Sequence, residues 1–62
     1  MQFVTVIPIS NKAKNRLANI MDKNKICMIE QRLDDKVFLT SSNGKYHFWV
    51  MIHNDSDWMI KP

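Results

Sequence analysis

Apolar and polar positions change period twice along the chain. Residues 2–9, Gln-Phe-Val-Thr-Val-Ile-Pro-Ile, are β-branched and aromatic and predict a strand. Pro8 lacks an N–H, which confines it to a strand end or an edge. Ser10 offers a hydroxyl N-cap, and from Asn11 to Lys23 the pattern turns helical. Ala13, Leu17, Ile20 and Met21 fall at i, i+4, i+7 and i+8, one apolar stripe. Lys12, Arg16, Asn19 and Lys23 fall at i, i+4, i+7 and i+11, a polar and basic stripe. Asn24 is placed to take the left-handed position that ends a helix.

The period then returns to two. Strands are predicted over 26–33, 36–41 and 45–53, with a short final strand or docked tail over 58–60. Asn43-Gly44 is a hairpin signal, because a type I′ turn needs positive φ at both central residues. A two-residue loop there pairs Ser42 with Lys45 and sets Leu39 against Phe48 and Val37 against Val50. These form the core face, with Tyr46 and Ile52. The other face pairs Thr40 with His47 and Phe38 with Trp49. Around Asp34-Asp35, a two-residue loop sets Arg32 against Val37 and Glu30 against Leu39, polar on apolar. A three-residue loop sets Leu33 against Val37 and Gln31 against Leu39, with Ile29 on the same face, and is the preferred register. The fold class is α+β: a β-α-β-β-β domain with one amphipathic helix on one face of a mostly antiparallel sheet. Whether the first strand lies at an edge or in the centre does not follow from its residues.

Length changes the picture first. Sixty-two residues make one domain with a small core and marginal stability. Such folds need good packing, a staple or self-association. One cysteine excludes an internal disulfide, and no Cys/His spacing suits structural zinc. A 45% hydrophobic content argues against disorder, and no apolar run approaches the roughly 20 residues of a membrane span. The N-terminus has no signal-peptide layout, so a complete, cytoplasmic chain is expected. The net charge of +3 is unevenly placed. Residues 1–25 carry five cations against one acid, and residues 26–62 carry four against five.

Four groups of residues are candidates for chemistry. Phe38, Thr40, His47, Trp49 and Met51 would share the sheet face away from the core, a protein-interface candidate if nothing covers it. The competing expectation is that the first strand or the segment around Trp58 folds over it. Lys12, Lys14, Arg16 and Lys23 form a basic helix, the alternative site for nucleic acid. An ordinary solvated face explains the same cations. His47, His53, Asp55 and Asp57 lie within eleven positions, but Asn-Asp-Ser-Asp does turn chemistry more often than metal binding. Cys27 sits in an apolar run, as a buried thiol would. Gly44 is the only glycine, which removes phosphate-loop readings. No catalytic residue, metal, cofactor or small-molecule substrate is evident.

The segment Ser10-Asn11-Lys12-Ala13-Lys14-Asn15-Arg16-Leu17-Ala18-Asn19 resembles short proteins of T4-like tailed phages, marine ones in particular. So do Ser42-Asn43-Gly44-Lys45, Phe48-Trp49-Val50 and Asp57-Trp58. The resemblance implies an intracellular protein of an infected bacterium that binds a host or phage factor. It implies no active-site residues. The expected function is therefore non-enzymatic protein binding, to itself or to another factor, with nucleic acid as the alternative partner and no membrane role.

Overall fold

The computed structural model describes residues 2–21 and 23–61. The elements are β1 (Phe3–Pro8), α1 (Asn11–Asn19), β2 (Ile26–Arg32), β3 (Lys36–Ser41), β4 (His47–Met51) and β5 (Trp58–Lys61). The five strands form one sheet in the order β4-β3-β2-β1-β5, each neighbour antiparallel. This is the expected α+β class, with the final segment realised as a full edge strand on β1. Pro8 closes the end of β1 opposite Trp58, where its missing N–H costs the ladder least. The expected strand over 45–53 shortens to His47–Met51.

The sheet is strongly coiled. In a flat sheet at ~4.8 Å per strand, β4 and β5 would lie about 19 Å apart. Their Phe48 and Trp58 rings instead meet with centroids 5.1 Å apart. Coiling encloses the inner residues of the strands: Val6, Cys27, Val37, Leu39 and Val50 of β1 to β4 are fully buried, and Trp58 of β5 is buried with them. Tyr46 stacks on Phe48 at 5.0 Å and extends this core. Each such side chain contributes on the order of 1.5–3 kcal/mol when removed from water.

The helix covers part of the inner side through Ala13, with Leu17 packed behind it. Ser10 caps it, its Oγ accepting from Ala13 N at 3.0 Å. The helix is shorter than its periodicity predicts, ending at Asn19 rather than at residue 23. The N–H groups of Ile20 and Met21 both reach the Arg16 carbonyl, and Asn43 Nδ2 donates to the Ile20 carbonyl at 2.9 Å. These bonds satisfy the last turn while Met21 drops into the core. Lys23 therefore lies beyond the helix, and Asp22, inside the expected span, lies outside the described residues. Lys25, not Asn24, takes the positive φ of 64°. Asn24 Oδ1 accepts instead from Ile26 N and Ser42 Oγ.

The β3–β4 register is the expected one, with Leu39 opposite Phe48 and Phe38 opposite Trp49. Its loop differs. Ser41 N donates to the Tyr46 carbonyl and Gly44 N to the Ser41 carbonyl, so four residues, Ser42 to Lys45, make the turn. Only Gly44 has positive φ (74°), so the turn is not type I′. Asn43 spends its side chain locally, its Oδ1 accepting from Ser41 Oγ and Lys45 N. The preferred three-residue loop at Asp34-Asp35 is also corrected. Leu33 N donates to the Lys36 carbonyl across a two-residue loop, and Arg32 faces Val37. The register then shifts between Ile29 and Gln31, a bulge at Glu30 that restores Ile29 opposite Leu39. The bulge resolves the polar-on-apolar conflict that had disfavoured the shorter loop.

Candidate interaction face of the sheet

Residues that alternate with the core point outward on every strand. The pairings align them in rows: His47, Thr40, Met28 and Phe3; Trp49, Phe38 and Gln31; Met51 and Lys36. On the far side follow Ile26, Thr5 and Lys61, then Ile7 and Met59. No described helix or strand covers this convex face. Phe3 is 58% exposed, Met59 51%, Trp49 44% and Met51 42%. The alternative covering does not occur, because Trp58 is buried in the core and β1 lies within the sheet.

The five expected interface residues thus share one face, in two environments. Trp49 and Met51 are open, and Phe38 is half-buried between neighbours. Its ring lies 5.0 Å from Trp49, tilted, and 6.2 Å from His47, stacked. Lys36 Nζ sits 5.0 Å above the Trp49 ring, so the cation is held against an aromatic face. Thr40 is buried. Its hydroxyl donates to Glu30 Oε1 at 3.1 Å and lies in hydrogen-bond contact with His47 Nδ1 at 2.9 Å. This chain of bonds ties β2, β3 and β4 together across the face. Phe3, Ile26, Met28 and Met59 are the outward residues that sequence reasoning missed. Their alternation was visible, but the place of β1 in the sheet was not.

The basic helix is divided by its own geometry. Lys12 and Arg16, one turn apart, lie on one flank beside Asn15 and Asn19. Arg16 reaches over the Tyr46 ring, 5.8 Å from its centroid. Lys14, two residues from Lys12, projects from the opposite flank. The helix N-terminus already has an acid beside it, supplied by the β4–β5 loop: Ser10 Oγ donates to Asp57 Oδ1 at 2.7 Å. The four cations do not form a single patch.

The acidic loop does turn chemistry. Asp55 Oδ2 accepts from Met51 N, and its Oδ1 accepts from Asp57 N and Trp58 N, at 2.8–2.9 Å. Partial burial pushes this carboxyl up, and the three N–H bonds outweigh it, leaving it below the usual carboxylate range. Asn54, at φ 60°, makes the bend. Among the described residues no three of His, Cys, Asp and Glu converge as metal ligands. Cys27 is buried, and desolvation raises its thiol to about 11, which suits a core residue and disfavours a thiolate. Among the described residues no helix is long and apolar enough to cross a membrane. In comparisons with known proteins, no family model, no curated protein and no solved structure matches this chain.

Proposed function

We propose that this protein works without catalysis, by binding a protein surface through the outer face of its sheet, and that the surface is first a second copy of itself. The observation that carries the reading is the exposure of Trp49 and Met51 beside Phe38, on a face that continues through Met28 and Phe3. Exposed apolar patches of this kind mark interfaces, and tryptophan is the commonest anchor. A two-fold interface must be self-complementary. This face carries charges of both signs, Glu30 on β2 with Lys36 on β3 and Lys61 on β5. Self-association also answers the stability problem of a short chain. We place the protein in the bacterial cytoplasm, where the resemblance to T4-like phage proteins also puts it and where Cys27 stays reduced; a host or phage factor is then a second occupant for the same face.

The test is sedimentation equilibrium from micromolar to millimolar protein. The wild type should populate a dimer, and Trp49→Ala should remain folded by circular dichroism while its dimer weakens about thirtyfold or more, the loss of one hot spot. A strictly monomeric wild type overturns the self-association. Nucleic acid is the alternative partner, through Lys12 and Arg16 with Lys14 and Lys23 contributing separately. Lys12→Glu and Arg16→Glu test it by mobility shift at low salt.

A further inference from the structure

A second site lies at the end of the coiled sheet that the helix leaves open. Val4, Ile29, Val37, Ile52 and Ile60 line a recess of about 260 Å³, and Arg32 stands at its rim. Everything in it is apolar except that one guanidinium. The two-residue loop at Asp34-Asp35 sets Arg32 opposite Val37, and the bulge at Glu30 brings Ile29 onto the same inner face. Regular alternation from Ile29 would turn Gln31 inward and Arg32 outward. The shifted register instead leaves Gln31 opposite Phe38 on the outer face and sets Arg32 opposite buried Val37. Bulges re-aim side chains in this way beside binding sites. The Arg32 guanidinium has no hydrogen bond or ion pair to any described residue, although Asp34 and Asp35 follow closely in the chain. An exposed cation beside an apolar recess is complementary to one ligand type: an apolar body ending in a planar anion.

We propose that this recess binds a small apolar monocarboxylate, a medium-chain fatty acid, with its carboxylate on Arg32 and its chain against Ile29, Val37 and Ile60. The recess, about 260 Å³ and open on one side, is of a size for a short acyl chain. The site is separate from the outer face: inner residues line it, and Trp49 and Met51 lie outside it.

The experiment is an ¹⁵N-resolved titration of the intact protein with octanoate and, in parallel, with 1-octanol. Octanoate should shift the amides of Val4, Ile29, Arg32, Val37, Ile52 and Ile60 and bind roughly tenfold more tightly than the alcohol. Arg32→Gln, a change at an exposed side chain, should erase that preference while leaving octanol binding unchanged. Equal affinity of acid and alcohol for the wild type overturns the proposal without recourse to a variant. So do octanoate shifts confined to Trp49 and Met51, the absence of any shift up to the solubility limit, or an undiminished preference in Arg32→Gln.

Discussion

The two faces of the sheet are alternate residues of the same strands, and both are rich in large apolar side chains. Their fates are opposite. Leu39 and Val50 are fully buried on one face, while Trp49, between Phe48 and Val50 in sequence, is 44% exposed on the other. The difference is curvature rather than composition. Coiling brings Phe48 and Trp58 together from opposite edges and closes the inner face largely with the sheet itself, aided by one short helix. A sheet that closes on its concave side leaves its convex side without a second layer. The one described helix lies on the concave side, and no described element forms a second layer on the convex one.

The largest effect should come from the inner face. Leu39→Ala removes a fully buried side chain and should cost about 2–5 kcal/mol by urea denaturation. That is a large share of a small domain's stability, so the variant should be substantially unfolded at 37 °C. A loss below about 1 kcal/mol would mean that the inner face is not the core. Gly44→Val tests the turn that sets the register dividing the faces. A Cβ there meets nothing within 4 Å, so the cost is conformational, about 1–2 kcal/mol for a side chain at positive φ. Ser10→Ala tests the helix that covers the inner face. It removes the cap on Ala13 N and the bond to Asp57, and should lower the urea midpoint by the equivalent of about 1 kcal/mol.

The loop joining the two edge strands adds a pH dependence. The folded pKa of Asp55 lies below its unfolded value, so its stabilisation is fully present above about pH 4. It is lost as pH falls through the lowered folded value. Asp55→Asn should therefore be less stable than wild type at pH 7, and the two denaturation curves should converge in acid. Curves that stay parallel down to pH 2 would show that the three N–H bonds do not favour the ionised carboxylate over the protonated one.

The division into faces was legible wherever local chemistry set the register. Alternation through Val37, Leu39, Phe48 and Val50 named the inner face of the β3–β4 hairpin, and Phe38 and Trp49 its outer face. What was not legible depended on contacts between distant segments. The helix stops early because Asn43, from the far hairpin, takes the Ile20 carbonyl and Met21 is drawn into the core. The Glu30 bulge carries no glycine to announce it, and without the bulge the loop that sets Arg32 opposite Val37 would set Glu30, not Ile29, opposite Leu39. The placement of β1 between β2 and β5 extends the outer face through Phe3 and Met59, and no local pattern encodes it.

The smallest expected effect on stability is the most informative about the outer face. Met51 ends β4 at the edge of the sheet, 42% exposed, and its backbone N–H is held by Asp55 whatever its side chain. Thr suits a strand position, so Met51→Thr should change the stability of the monomer by no more than about 0.5 kcal/mol. If the outer face exists to be covered, the same variant should shift the monomer–dimer equilibrium toward monomer, and Leu39→Ala should not do so beyond its effect on folding. A Met51→Thr protein that is markedly destabilised at concentrations where the wild type is monomeric would place that side chain in the core. The distinction between a face that folds the chain and a face that binds would then fail at this edge of the sheet.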